Sequence, residues 1–343
     1  MSMAEPIIDW LNAQQENMLS LLADLVNIDS NSFDKVGVDR VAGRLRTFFD
    51  NHAIPCETIP LPDHGDALRA VVSGGDGNRP ILLCGHRDTV FATGEVEKRP
   101  FTMHDGKAFG PGVADMKPGL VINAFILAAF HKFGGHPNPL IGLFTGDEEI
   151  GSPSSKNIII AEAEKARLAF NSEPSRPNGN IVTKRKGGIF CYCAIKGVAA
   201  HSGGFFTDGR SAIEELAHKI QALHALTDLE KGTTINVGLV QGGQSVNTVA
   251  AEASCDFDIR YQETDERDDI LSQVRTICET VSVAGTSSKF CIRGEFQPLN
   301  PSAQSSELFA LYQDSAAQDN VIINGEHSGG CADSGFIAAA GAP

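Results

Sequence analysis

Six side chains suited to holding a divalent cation fall at a recurring place in this sequence. His86 and Asp88 follow the apolar run Ile81-Leu82-Leu83-Cys84, Glu148 and Glu149 follow Leu143-Phe144-Thr145, and Glu173 follows Leu168-Ala169-Phe170-Asn171. Asp115 closes the glycine-rich segment Gly110-Pro111-Gly112-Val113-Ala114, directly before an apolar helical stretch. Carboxylates gathered in this way repel one another unless positive charge sits among them. Imidazole with carboxylate suits zinc, ahead of manganese or cobalt. In such a centre one carboxylate can bridge two ions, and an unligated glutamate can serve as base to the attacking water. Adjacent Glu148 and Glu149 offer that division, because successive residues leaving a strand point differently. Asp88 can accept the second imidazole N–H of His86 and fix its tautomer. Each acid taken alone reads first as a solvated loop residue, and Glu148-Glu149 alone as acids favouring a helix N-terminus. Taken jointly, by position, they favour a metal site.

The elements that must deliver these residues are legible from periodicity. Short apolar runs at 81–84, 140–145 and 168–171 alternate with helical patterns at about 117–133 and 153–166, the signature of a parallel sheet covered on both faces. Sites in such sheets lie beyond the carboxyl ends of the strands. Upstream, Trp10, Leu11, Met18, Leu21, Leu22, Leu25 and Val26 recur at helical spacing as one amphipathic helix, and a second is expected at about 39–52. The rhythm changes after Asn180. A strand at 187–196, a helix at 208–226, strands at 234–241 and 251–261, a helix at 265–283 and a strand at 289–296 give the order β-α-β-β-α-β, the ferredoxin-like arrangement. A helical pattern returns at 300–319, and 321–324 is expected to rejoin the first sheet. The predicted fold class is α/β, a mostly parallel sheet flanked by helices, with an inserted ferredoxin-like α+β domain. Residues 1–180 and 299–343 form the catalytic, metal-binding domain, and 181–298 the insertion.

Composition narrows the function classes. A chain of 343 residues with 42% hydrophobic content is long enough for two domains and too apolar for disorder. Its 28 basic and 43 acidic side chains give a net charge of −15, which argues against a nucleic-acid partner. The longest mostly apolar stretch, 119–130, is far short of the roughly 20 residues of a membrane helix. The opening residues, with Glu5, Asp9 and Asn12, lack a secretory pattern. A cytoplasmic protein with no membrane partner is expected. The eight cysteines contain no C-x-x-C pair and read as reduced thiols, with Cys191 and Cys193 half-buried on one strand face. Lys184-Arg185-Lys186 reads as a solvated interdomain stretch.

The segments Gly85-His86-Arg87-Asp88-Thr89-Val90, Gly110-Pro111-Gly112-Val113-Ala114-Asp115-Met116-Lys117, Gly146-Asp147-Glu148-Glu149-Ile150-Gly151, Ser172-Glu173-Pro174 and Lys196-Gly197-Val198-Ala199-Ala200-His201-Ser202-Gly203 resemble the co-catalytic zinc hydrolases of the aminoacylase, acetylornithine deacetylase and glutamate carboxypeptidase family. The bacterial glutamate carboxypeptidase branch is the nearest in look. The resemblance implies two zinc ions per subunit, with cobalt or manganese as substitutes. It makes His86 a ligand of one ion, shared with Glu173, Asp115 the bridging carboxylate, and Glu149 a ligand of the other ion. It makes Glu148 the general base, Asp88 the partner of His86, and the peptide bond after Asp115 cis. The insertion then resembles a dimerisation or lid domain whose His201 reaches the partner subunit's active site, with Asn247 and Arg260 gripping a substrate anion or carbonyl. The resemblance also implies a homodimer acting on a small peptide or N-acyl amino acid.

The family's remaining zinc ligand is a histidine beyond the stretch resembled by Gly329-Gly330-Cys331-Ala332-Asp333-Ser334-Gly335. No counterpart precedes Pro343, and His327 lies on the wrong side of that stretch. The sequence therefore reads as about one strand, one helix and one ligand short at its C-terminus. Three functions are expected in order: a di-zinc carboxypeptidase of the glutamate carboxypeptidase type, an N-acyl-amino-acid deacylase such as acetylornithine deacetylase, and a catalytically silent dimeric binding protein.

Overall fold

The structure, a computed structural model, describes residues 4–75 and 79–343. The chain divides into two compact units. One comprises the described residues up to Thr183 with Pro301–Glu326 and Ala332–Pro343, the other Lys184–Asn300 with His327–Cys331.

The first unit opens with helices α1 (Ala4–Asn12), α2 (Gln15–Val26) and α3 (Lys35–Asn51) and strands β1 (Cys56–Ile59), β2 (Ala67–Val72) and β3 (Ile81–His86). A short helix α4 (Glu95–Lys98) and a hairpin of β4 (Thr102–His104) and β5 (Lys107–Phe109) lead to α5 (Lys117–Lys132), β6 (Leu140–Thr145), α6 (Lys156–Lys165) and β7 (Leu168–Asn171). The sheet order is β1-β2-β6-β3-β7. The pairs β6/β3 and β3/β7 are parallel, whereas β2 runs antiparallel to both β1 and β6, so the half that carries the acidic residues is the parallel half. Helix α5 is buried on most of its circumference, with the sheet on one side and α1, α2 and α3 against it. Leu45, Phe49, Leu120, Phe125, Leu127 and Phe144 share the resulting core, each worth about 1.5–3 kcal/mol of apolar burial.

The expected single N-terminal helix is broken at Ala13-Gln14, where neither proline nor glycine marks a stop. Both halves pack on α5, with Trp10 and Phe125 ring centroids 6.1 Å apart, so tertiary contact sets the break.

Strand β8 (Ile181–Arg185) leads into the second unit, whose further elements are β9 (Gly187–Lys196), α7 (Ala212–His224), β10 (Thr234–Gly242), β11 (Glu252–Tyr261), α8 (Glu266–Glu279) and β12 (Ser287–Phe296). Its fully antiparallel sheet has the order β10-β11-β9-β12, and α7 and α8 pack on that sheet, the expected ferredoxin-like arrangement. Cys191 and Cys193 are fully rather than half buried, inside this core, and none of the eight cysteines is paired. Lys184-Arg185-Lys186 is half-buried rather than solvated. Lys184 pairs with Glu263, and Arg185 and Lys186 donate to the carbonyls of Cys331 and Gly232.

After α9 (Ala303–Gln318), residues 321–324 do not rejoin the first sheet. Asn320 adopts φ +58°, turning the chain out of α9, and Ile322 is left 85% exposed. The following strand β13 (Gly325–Ser328) pairs with β8 in a separate ribbon, and α10 (Ser334–Ala339) closes the described chain. Among the described residues no helix is long and apolar enough to cross a membrane.

Glu215 and Lys219, one turn apart on α7, form a fully buried ion pair at 2.8 Å. The carboxylate also accepts from the amides of Ser282 and Val283, and the ammonium donates to the carbonyls of Ile277 and Thr280. The pair thereby ties α7 to the end of α8. Removing one partner strands the other charge, so Glu215→Ala is expected to cost about 3–5 kcal/mol, read as a lower urea midpoint. The double change Glu215→Ala with Lys219→Met should recover part of that loss. A single variant as stable as the parent removes this role.

Candidate metal centre

Parallel register brings the carboxyl ends of three strands to one edge. His86 lies opposite Thr145 in the β3/β6 pair, and Cys84 opposite Asn171 in the β3/β7 pair. The chain leaving each strand therefore delivers His86 and Asp88, Glu148 and Glu149, and Glu173 to the same rim. Asp115 arrives from the start of α5, through Gly110 and Gly112 at φ +143° and +74°, and its peptide bond to Met116 is cis. Gly119 permits the approach, because a Cβ there would lie 2.1 Å from the carbonyl oxygen of Ser172.

His86 is the centre of the cluster and is 1% exposed. Its Nδ1 lies 3.0 Å from the Asp88 carbonyl and 3.3 Å from the Asp88 carboxylate. Both are acceptors, so Nδ1 carries the proton. Nε2 then faces Asp115, Glu173 and Glu148 at 3.2, 3.5 and 3.7 Å, without a well-formed hydrogen bond. A buried imidazole nitrogen aimed at three carboxylates calls for a cation or a second proton. Among the described residues, two groupings of ligand-type atoms include His86: one with Asp115 and Glu149, the other with Glu148 and Glu173. His327 belongs to neither. The donor set of one imidazole and carboxylates fits a divalent cation such as zinc.

Asp88 stands behind this arrangement. Its carboxylate accepts from Ser32 Oγ at 2.7 Å and from the amides of Glu148 and Glu149 at 3.1 Å each, besides facing His86. Burial would raise it, yet His86 and Ser32 hold it below the usual carboxylate range. The other groups move the opposite way. Burial pushes Glu148 well up against the pull of His86, and pushes Glu149 up to about 7. His86, which burial alone would lower, is held well above its ordinary value by Glu148, Asp115 and Asp88. Asp147, next to Glu148, turns elsewhere and accepts from the amides of Ser154 and Ser155 ahead of α6.

His201, Asn247 and Arg260 lie in the second unit. The exposed His201 ring accepts at Nδ1 from the amides of Gly203 and Gly204, 3.2 Å each, so its Nε2 is the protonated, donating nitrogen. Asn247 is adjacent, its carbonyl accepting from the Ser202 amide at 3.0 Å. Arg260, on β11, donates to Asp258 at 2.7 Å and to Cys331 Sγ at 2.8 Å and lies over the Phe190 ring.

Three supporting residues were not singled out by their types and spacing. Arg87 is fully buried between His86 and Asp88. Lys117 donates to the carbonyls of Leu25 and Ile28 at 2.9 Å each, and burial lowers it to about 8. Asp333, at the head of α10, is buried beside Thr145 and Ser152, and burial pushes it up to about 7. A charged residue inside an otherwise buried run is the signal that could have marked the first two.

Carboxylates ranging from buried Glu148 to exposed Asp115 surround one buried histidine at the end of a parallel half-sheet, an arrangement suited to metal-dependent peptidase or amidohydrolase chemistry. Residues 183–286 match the peptidase dimerisation domain of the M20 family. The chain is 25% identical over 338 residues to carboxypeptidase G2 of Pseudomonas sp. (strain RS-16), covering 96% of this chain and 80% of that protein. Its fold is that of an M20 family metallo-carboxypeptidase from Sulfolobus solfataricus, with a TM-score of 0.76 at 17% identity over 94% of this chain and 88% of the other. A dinuclear metal-binding M20 peptidase of Bacillus subtilis is also similar, at a TM-score of 0.63 and 15% identity over 95% and 86% of the two chains. The likeness to M20 peptidases thus runs along most of the chain, with the dimerisation domain matched at residues 183–286.

Proposed function

We propose that this protein is a dinuclear zinc hydrolase that cleaves an amide bond in a small carboxylate-bearing substrate, as a carboxypeptidase of the glutamate carboxypeptidase type. The observation that carries this reading is His86 Nε2, buried and faced by Asp115, Glu173 and Glu148. His86, Asp115, Glu149 and Glu173 are the residues that would hold the ions. Bound there, divalent cations supply Lewis-acid polarisation of the scissile carbonyl and ease deprotonation of the attacking water.

The protein's own groups do the rest. Glu148, 7% exposed and raised by burial, takes the proton of the attacking water and returns it to the departing nitrogen. Asp88 orients His86 and, through the amides of Glu148 and Glu149, the turn that bears the base. His201 offers its Nε2–H to the developing oxyanion from the partner subunit. Arg260, oriented by Asp258, and Asn247 anchor the substrate carboxylate. The protein acts as a cytoplasmic homodimer through its dimerisation domain.

The test is a panel of C-terminal-glutamate peptides against N-acetylated amino acids, run with the zinc-loaded protein. Cleavage of the peptides is expected. Turnover of the acetylated amino acids alone makes the protein a deacylase, and turnover of neither overturns the reading. Light scattering should report a dimer; a strictly monomeric species removes the role of His201 across subunits.

A further inference from the structure

We infer that Arg87 is a positioning residue: its guanidinium fixes the turn that carries Glu148 and Glu149, and so sets the geometry of the metal centre. This deepens the proposed metal site and rests on it. His86 and Asp88 face the site, and the residue between them faces the opposite way, into the protein. There Arg87 is fully buried. Its backbone N–H and its Nε both donate to the carbonyl of Thr145, at 3.0 and 3.1 Å, and Nη1 donates to Val38 at 2.8 Å. Nη2 donates to the carbonyl of Asp66. One side chain thus joins the ends of β3 and β6, the first turns of α3 and the residue before β2.

Thr145 is the last residue of β6, and the turn Gly146-Asp147-Glu148-Glu149 begins on it. Arg87 holds the carbonyl from which the turn departs, while Asp88 holds the amides of Glu148 and Glu149 at which it ends. The tripeptide His86-Arg87-Asp88 therefore grips one turn from two sides and supplies a ligand between them. Gly146 fits this account, since a Cβ there would stand 3.2 Å from Nη2 of Arg87 and 2.7 Å from Val38. A planar fork reaching three carbonyls cannot be replaced by an ammonium. A buried guanidinium is costly to desolvate, and an apolar side chain would fill the space without that cost. The carbonyls it gathers explain its presence.

The test uses the full chain, as Arg87→Met and Arg87→Lys, stripped of metal with chelator. Amide hydrogen exchange reads the turn directly, and calorimetry with zinc reads the site. In Arg87→Met the amides of 146–150 should lose protection at least tenfold while strands β9–β12 keep theirs, and zinc affinity should fall about 10–100-fold, as for lost support of a metal ligand. In the loaded enzyme kcat should fall with little change in KM. Arg87→Lys, which keeps the charge but not the fork, should fold like the parent and recover less than half of the logarithmic loss in zinc affinity. Parental protection and zinc affinity in Arg87→Met, exchange raised evenly over the first unit, or full recovery in Arg87→Lys would each overturn the assignment. The exchange pattern is read without metal or substrate, so a parent protein that binds no zinc defeats the proposed hydrolase and leaves this question decidable.

Discussion

Glu148→Gln is expected to lower kcat by about 10²–10⁴-fold, the range lost with a positioned general base, while the protein still binds zinc. The two halves of that result answer different questions. Glu148 lies 3.7 Å from His86 Nε2, in the same ligand-type grouping as Glu173, so its position allows it to be a ligand or a base. Glutamine preserves the size and the turn, and its amide cannot accept and return a proton. A base therefore loses turnover with the metal in place, whereas a ligand loses the metal as well. Zinc content measured on the purified variant, alongside kcat, separates the two. Turnover at the parental rate with zinc bound, or loss of zinc in parallel with activity, sinks the base assignment. Glu149→Gln supplies the contrast, because its expected defect is in zinc affinity first and in rate as a consequence.

The two neighbours share one support. Asp88 receives the amides of both, so the turn is fixed by the carboxylate that also orients His86. The imidazole tautomer and the direction of two glutamates then depend on one buried group, held low in pKa by His86 and Ser32 in spite of its burial. Shortening or neutralising it would loosen three functional side chains together. Asp147 completes the division of labour on the turn: it serves α6, leaving Glu148 and Glu149 to the site.

Much of this was legible in the sequence because it depends on local pattern and on strand ends. Apolar runs at 81–84, 140–145 and 168–171 predict parallel strands, and parallel strands deliver the residues after their last positions to one edge. That reasoning brings His86, Asp88, Glu148, Glu149 and Glu173 to a common rim without any long-range information. The β-α-β-β-α-β order of the second unit was readable for the same reason, each element carrying its own periodicity. The features that escaped are those whose partners are distant main-chain groups. Arg87 binds carbonyls at positions 38, 66 and 145, and Lys117 binds carbonyls at 25 and 28. Carbonyls carry no sequence signature. The break between α1 and α2 and the detachment of 321–324 from the first sheet escaped likewise, because packing on α5 and a positive φ at Asn320 decide them.

The metal-free protein is expected to lose stability as pH rises from about 5 to 8, and zinc is expected to reverse the trend. The sign depends on which state holds more protons. Glu149 is raised to about 7 from an ordinary 4.5, Asp333 to about 7 from 3.8, and Glu148 well above 4.5, each chiefly by burial. His86 is raised well above 6.5. Between pH 5 and 8 the folded state therefore binds more protons than the unfolded chain, and raising pH draws those protons off at the cost of the fold. Glu149 alone is worth on the order of 3 kcal/mol across that interval. Asp88, which is shifted down, contributes stability above its ordinary value near 3.8 and loses it only in more acid solution, outside the window. Zinc inverts the slope, because its ligands must be deprotonated and binding releases the same protons. A thousandfold excess of free zinc over the dissociation constant would add about 4 kcal/mol, felt at pH 8 and largely lost at pH 5, where protons hold Glu149 and His86. Urea midpoints at both pH values, with chelator and with zinc, check the prediction. A chelated protein equally stable at pH 5 and 8, or zinc stabilisation of the same size at both, would show that these carboxylates and His86 neither share protons in the folded state nor exchange them for metal.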